Sequence, residues 1–295
     1  MPAQARSMTP LREVARAKLN LTLEVLGRRA DGFHELQSLV AFAGIGDTVE
    51  LAPGEKLELA IEGPFAGALD GENLVVKAAQ AVKAANPHLR LGRFRLTKTL
   101  PVAAGLGGGS ADAAAALRLI AKANGGRPSE TELLGLAKEL GSDVSVCLKS
   151  MPALITGRGE QVEPVSGFPS CGLLLANPRV PLATSAVYGA LGAQPLASRP
   201  AKPVLPEFGG SFDELVAYVL PRRNDLEPPA ARLIPQIREV LAALLTLPGA
   251  RLARLSGSGP TCFAFFASAH EARQAASTLT AQHPGWWIAA SSFGA

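Results

Sequence analysis

Six glycines in two clusters bracket an alanine-rich run in PVAAGLGGGSADAAAALRLIAKANGG, residues 101–126, and this stretch limits the fold more than any other. Glycine costs backbone entropy, so a cluster needs a structural return. The segment before it, RFRLTKTLP (93–101), alternates apolar and polar residues as a strand does. After it, Ser110 is a good N-cap and residues 111–124 are nearly all helix formers, with Leu117 and Ile120 to bury. Gly125 is placed to close that helix as a left-handed cap. The reading is strand, glycine loop, helix. In such a loop, bare amides converge on a helix N-terminus, where the unpaired N–H groups and the dipole favour an anion.

Composition narrows the setting of that loop. The chain has 295 residues, enough for one large domain or two ordinary ones, and is 47% apolar and 18% charged, which builds a core. The net charge of +4 suits a polyphosphate ligand. There is no Lys/Arg-rich run, and two Trp and two Tyr give little to stack bases on, which argues against a nucleic-acid partner. Three cysteines (Cys147, Cys171, Cys262) lack metal spacing and fit a reducing compartment. No apolar leader or membrane-length run is seen, so the expectation is a cytoplasmic protein without a membrane partner.

Along the chain, residues 14–26 read as a strand, Asp31-Gly32 as a turn, and DTVEL (47–51) as a short strand. Residues 72–86 read as a helix. A second helix opens with a capping box, Ser129 and Glu132, and ends at Gly141. ALITGRGEQVEPV reads as a hairpin. After about residue 165 the pattern restarts: a buried strand GLLLANP, a helix TSAVYGAL, a Pro-rich loop, helices at 212–220 and 228–245, strands at 251–255 and TCFAFFA, a helix at 270–282 and a last strand WWIAASS. Strands and helices without regular alternation give the class α+β, with domains at 1–165 and 166–295.

The loop is not a P-loop, since no Lys follows its glycines, and it is not a dinucleotide fingerprint, since Ser110 stands where a third glycine would be needed. The protein-kinase motifs are missing as well. A glycine cluster that only lets a strand and helix approach closely is the competing reading. Further segments bear on that choice: AKLNL (17–21), ADGFHELQSL (30–39), ENLVVKAA (72–79), LGSDVSV (140–146), RNDLE (223–227) and RLSGSG (254–259). Together with the glycine loop, and in this order, they resemble the GHMP kinase superfamily of galacto-, homoserine, mevalonate and phosphomevalonate kinases. Within it they resemble the branch that phosphorylates the 2-hydroxyl of a cytidine-diphosphate-linked methylerythritol in the non-mevalonate isoprenoid route. The resemblance spans essentially the whole chain.

It implies an N-terminal nucleotide-binding α+β domain, a ferredoxin-like C-terminal domain, and a site in the cleft between them. It places ATP on Pro101, Gly105, Leu106, Gly107, Gly108, Gly109 and Ser110, with Asn73, Leu74 and Lys98 near the adenine. Taken singly, Asn73 reads rather as a helix N-cap and Lys98 as an exposed strand lysine. Lys18 would polarise the acceptor hydroxyl and Asp143 would take its proton. Asp143 in GSD reads as the exit of a helix, where a carboxylate is disfavoured and so invites a function. Asn20 would share the Lys18 face of its strand. Phe33 and His34 would meet the cytosine, with Thr184 and Tyr188 on the methylerythritol and the other face of the base. Phe33 stands where tyrosine is usual. Ser145, Val146 and Cys147 stand where proline and aromatics are usual, which leaves the rigidity of that loop open. Mg²⁺ is implied by the polyphosphate, with no protein ligand assigned. The remaining expectations are a small-molecule partner and a monomer or weak homodimer. The rivals are another GHMP kinase, of the homoserine or mevalonate type, and a nucleotide-binding sensor without activity.

Overall fold

The computed structural model describes residues 9–68, 72–198 and 200–293. In chain order the first strands are β1 (Leu11–Asn20), β2 (Glu24–Arg28), β3 (His34–Ala52) and β4 (Glu58–Glu62). Then come α1 (Leu74–Ala85), β5 (Arg93–Thr97), α2 (Gly108–Ala123), α3 (Glu130–Leu140) and α4 (Ser142–Lys149). A hairpin of β6 (Ala153–Gly157) and β7 (Gln161–Pro164) leads to β8 (Cys171–Asn177). Helices α5 (Thr184–Leu191), α6 (Phe212–Val219), α7 (Glu227–Leu233) and α8 (Gln236–Leu245) follow. The chain closes with β9 (Leu252–Leu255), β10 (Cys262–Phe266), α9 (Ala269–Gln282) and β11 (Trp287–Phe293).

The chain forms two compact units. One comprises Met1–Ala15 (described from residue 9), Gly46–Val102 and Gly109–Leu148. Here the second half of β3 pairs antiparallel with β5, from Thr48 opposite Thr97 to Ala52 opposite Arg93, and β5 pairs parallel with β4. Helix α2 is buried nearly all round, through Ala111, Ala113, Ala114, Ala115, Ala116, Leu117, Leu119 and Ile120. A helix enclosed on every side needs small residues for its neighbours to come close, which accounts for the alanine run. Helix α1 buries Val75, Ala78, Ala79 and Val82.

The other unit comprises Arg16–Ile45, Ala103–Gly108 and Lys149–Ala295. β2 and the start of β3 form a hairpin, and the same part of β3 pairs with β6, which pairs with β7. A separate antiparallel sheet has the order β11-β8-β10-β9. With helices after β8 and β10 this is the β-α-β-β-α-β ferredoxin-like arrangement, and the last strand closes it against β8. β8 and β10 are buried along their whole length. One face packs Leu174, Ala176, Ala264 and Phe266 against Ile237, Val240, Ala272 and Leu279. From the other, Phe265 meets Phe293 edge to face, with ring centroids 5.8 Å apart.

Several elements differ from the sequence reading. The strand over 14–26 breaks after Asn20, where Leu23 donates to the Arg223 carbonyl at 2.9 Å and the chain leaves its first ladder. DTVEL is the end of a 19-residue strand, not a strand of its own. β4, a short and largely exposed strand, is absent from the sequence reading, although Leu59 and Ile61 alternate with Glu58 and Glu62. The helix over 228–245 is two helices, because Ile234 is extended ahead of Pro235. Helix α2 begins at Gly108, so Ser110 lies inside its first turn rather than capping it. Asp143 is not at a helix exit either. α3 does end at Gly141, but α4 starts at once and holds Asp143 in its first turn, where a carboxylate is favoured. Ser145, Val146 and Cys147 accordingly sit buried in a helix rather than in a loop.

Candidate functional site

The glycine loop winds with alternating backbone handedness. φ changes sign at each step from Ala103 (+51°) through Gly105 (+74°) to Gly107 (+62°), because the residues between them are not left-handed. Such alternation turns successive amides toward one concavity, a nest suited to an anion. The carbonyls are taken up on the protein side. Thr261 N–H donates to Ala104 O at 3.1 Å, Ser256 Oγ to Gly105 O at 2.9 Å, and Lys18 N–H to Leu106 O at 2.8 Å. A Cβ on Gly105 would collide with the Ser256 carbonyl, so only glycine fits there. Gly108 then opens α2.

Lys18 and Asn20 are buried on the last part of β1. The Lys18 stem runs beside Gly107: a Cβ on that glycine would fall 3.3 Å from both Cβ and Cε of the lysine. Asn20 Nδ2 donates to Ser38 Oγ at 2.8 Å, and Ser38 Oγ donates on to the Thr22 carbonyl. The side chain of Asn20 is thus fixed by its neighbours on β3.

The β2–β3 hairpin presents the next pair. Asp31 Oδ1 accepts from Phe33 N–H, and Arg29 bridges Asp31 and Glu35, shaping the turn. Phe33 is 54% exposed at its tip, with the Arg158 guanidinium 4.6 Å from the ring centroid. His34 faces Tyr188 of α5, with ring centroids 4.7 Å apart. Burial, then the nearby Arg28, holds His34 below the ordinary histidine value, so its ring is neutral at pH 7. Thr184, at the start of α5, shares a hydrogen bond of 2.9 Å with Ser258.

In the first unit, Asn73 caps α1 by accepting from Val75 N–H at 2.8 Å, and a Cβ on Gly109 would touch Leu74 at 3.5 Å. Pro101 is buried ahead of the glycine loop. Lys98 is not an exposed strand lysine: it is 3% exposed, and its ammonium lies between the carboxylates of Asp47 and Asp112. Asp47 also accepts from the amides of Thr99 and Leu100, at 2.6 and 2.9 Å, and so pins the approach to the glycine loop. Burial alone would lower Lys98, but Asp112 and Asp47 outweigh it and hold the ammonium above its ordinary value. One cation serves two buried acids. Burial pushes Asp112 up to about 7, Lys98 opposing and Asp47 adding to the rise. Asp112 Oδ1 is buried without a hydrogen-bond partner, which also favours the protonated form. Among the described residues no group of three or more His, Cys, Asp or Glu is placed to hold a metal ion, and no helix is long and apolar enough to cross a membrane.

Asp47, Asp112 and Arg158 carry no local signature that marks them as part of this site. Each owes its place to a tertiary neighbour rather than to a local pattern.

A glycine nest that opens a helix and a ferredoxin-like sheet are both features of the GHMP class of small-molecule kinases, to which comparison with known proteins assigns this chain. The model for the GHMP kinases N terminal domain matches residues 73–150, and that for the GHMP kinases C terminal matches 210–285. The 4-diphosphocytidyl-2-C-methyl-D-erythritol kinase of Parvibaculum lavamentivorans is 48% identical over 287 residues, covering 97% of this chain and 99% of its own. The enzyme of that name from Rhodopseudomonas palustris is 48% identical over 296 residues, covering 97% and 98%. A crystal structure of 4-(cytidine 5'-diphospho)-2C-methyl-D-erythritol kinase superposes with a TM-score of 0.77 at 33% identity, over 97% of this chain and 100% of that one. A homoserine kinase from Cytophaga hutchinsonii shares the fold, with a TM-score of 0.68 at 18% identity over 99% and 96%. The chain belongs to the 4-diphosphocytidyl-2-C-methyl-D-erythritol kinase family of GHMP kinases.

Proposed function

We propose that this chain transfers the γ-phosphoryl group of ATP to the 2-hydroxyl of 4-diphosphocytidyl-2-C-methyl-D-erythritol, in the making of isoprenoid precursors. The observation that carries the reading is the nest at 103–107, with three successive carbonyls held by the protein and the Lys18 stem alongside Gly107. Phosphoryl transfer needs positioning, charge neutralisation and an acceptor for one proton. The amides of Gly105, Leu106, Gly107, Gly108, Gly109 and Ser110 hold the triphosphate, aided by the N-terminus of α2. Lys18 polarises the acceptor hydroxyl. Asp143, at the N-terminal turn of α4, takes the proton, and the helix dipole supports its charge.

Asn73 and Leu74 border the adenine. Lys98 serves the nucleotide by bracing the loop, since its ammonium is spent on Asp47 and Asp112. Phe33 stacks on the cytosine, His34 reads its edge, and Tyr188 supports His34. Thr184 and Asn20 border the methylerythritol. Mg²⁺ would neutralise charge on the phosphates. Without a protein cluster built for it among the described residues, the ion would be carried chiefly by phosphate oxygens and water. In function the nucleotide-binding part is 1–165 and the part completing the acceptor site is 166–295. The protein works in the cytoplasm as a monomer or weak homodimer.

A coupled ADP-release assay across three acceptors tests the reading. Turnover with the cytidine substrate but not with homoserine or mevalonate is the expected result. Preference for either of the other two makes the chain a different GHMP kinase. ATP binding without turnover on any acceptor makes it a sensor.

A further inference from the structure

RNDLE, residues 223–227, has no part in the chemistry above, yet its asparagine is among the most fully bonded side chains of its unit. Asn224 is 3% exposed. Its Nδ2 donates to the carbonyls of Leu255 and Gly257, at 2.9 and 2.7 Å, and its Oδ1 accepts from Leu226 N–H at 3.0 Å. Both amide protons are used, and both on the turn that leaves β9. The neighbours tighten the same joint. Glu227 accepts from Leu255 N–H at 2.8 Å, and Asp225 accepts from Val25 N–H at 2.8 Å.

The turn held by Asn224 is the one that grips the glycine loop. Ser256 Oγ donates to Gly105 O, and the Asn20 backbone N–H donates to Ser256 Oγ at 3.3 Å. A Cβ on Gly257 would lie 3.1 Å from Asn20 Oδ1, and the Ser256 carbonyl and Gly259 amide close over Gly105. A single side chain thus fixes the carbonyls on either side of the serine that fixes the nest.

We propose that Asn224 is a positioning residue for the phosphate cradle, acting through Ser256 on Gly105. The proposal rests on the reading of residues 103–110 as that cradle. Asparagine is required because two carbonyls must be met by two donors; aspartate, of equal size, offers none and sets charge against them.

The test compares Asn224→Asp, Asn224→Ser, Ser256→Ala and the Asn224→Asp/Ser256→Ala double variant by calorimetric ATP binding and thermal unfolding. Leu244→Ala, a core truncation in α8 away from the turn, is the stability control. Asn224→Asp is expected to weaken ATP binding about tenfold, the scale of one lost buried hydrogen bond, with Asn224→Ser intermediate. The double variant should bind no worse than Asn224→Asp alone, since both act on one link. Leu244→Ala should lower the unfolding midpoint and leave ATP affinity unchanged. If Asn224→Asp and Asn224→Ser lower the midpoint but bind ATP like the parent, Asn224 only braces the fold and the proposal fails. Should Asn224→Asp not fold, Asn224→Ser decides by the same two readings. Gly107→Val separates the underlying reading: if it too leaves ATP affinity intact, the cradle assignment falls rather than the role of Asn224 alone.

Discussion

The side chain of Lys18 lies along Gly107, close enough that a Cβ on the glycine would sit 3.3 Å from the lysine Cβ and Cε. The same lysine donates its backbone N–H to the carbonyl of Leu106 at 2.8 Å. The strand bearing the cation and the loop bearing the amides are therefore one mechanical piece. A change at Gly107 therefore reaches the Lys18 side chain as well as the loop amides.

Gly107→Val is the sharpest probe of that coupling. A β-branched residue at φ of +62° is strained in itself, and it also displaces the Lys18 stem. ATP binding measured by calorimetry should fall at least tenfold, and kcat should fall with it, while circular dichroism shows the fold retained. Undiminished ATP affinity would return the glycines to a packing role.

The buried triad gives a prediction in pH. The folded value of Asp112, about 7, lies above its ordinary 3.8. The folded protein then holds a proton that the unfolded chain has released. The resulting stability is fully present below pH 4 and is lost as pH rises through 7. Asp112→Asn removes that titration. Chemical denaturation at several pH values should show the variant gaining on the parent between pH 5 and 8. Parallel curves would mean that Asp112 stays ionised beside Lys98.

Cytosine recognition is tested at the hairpin. His34, neutral at pH 7, can offer one donor and one acceptor to a base edge, whereas a stacking face accepts most bases. His34→Ala should reduce kcat/KM for the cytidine substrate by about 1–3 kcal/mol, the cost of an unsatisfied polar partner, and shrink its preference over the uridine analogue. Phe33→Ala should weaken both analogues alike. An unchanged cytidine-to-uridine ratio in His34→Ala would place base reading elsewhere.

Where a local pattern dictated an element, the sequence was readable. The capping box at Ser129 and Glu132, the turn at Asp31-Gly32 and the buried run of β8 stand as read, as does the succession of strand, glycine loop and helix apart from the cap at Ser110. Errors came where long-range contacts decide. A short glycine spacer between α3 and α4 looked like a helix exit and became two helices back to back, which reversed the electrostatic setting of Asp143. Alternation puts Lys98 on the buried face with Phe94 and Leu96, and only the fold brings it Asp47 from β3 and Asp112 from α2. Ser256 and Asn224 were visible within motifs, but their joint grip on the glycine loop spans residues 105 to 257 and has no local signature.

The central claim is that Asp143 accepts the proton as the cytidine substrate is phosphorylated. The direct measurement is kcat of the parent and of Asp143→Asn with ATP and that substrate, the product followed by phosphorus NMR and ATP affinity by calorimetry. Asparagine is nearly isosteric but cannot take the proton, so the account predicts a loss in kcat of about 10²–10⁴ with ATP affinity nearly unchanged. Turnover by Asp143→Asn at close to the parent rate would contradict it.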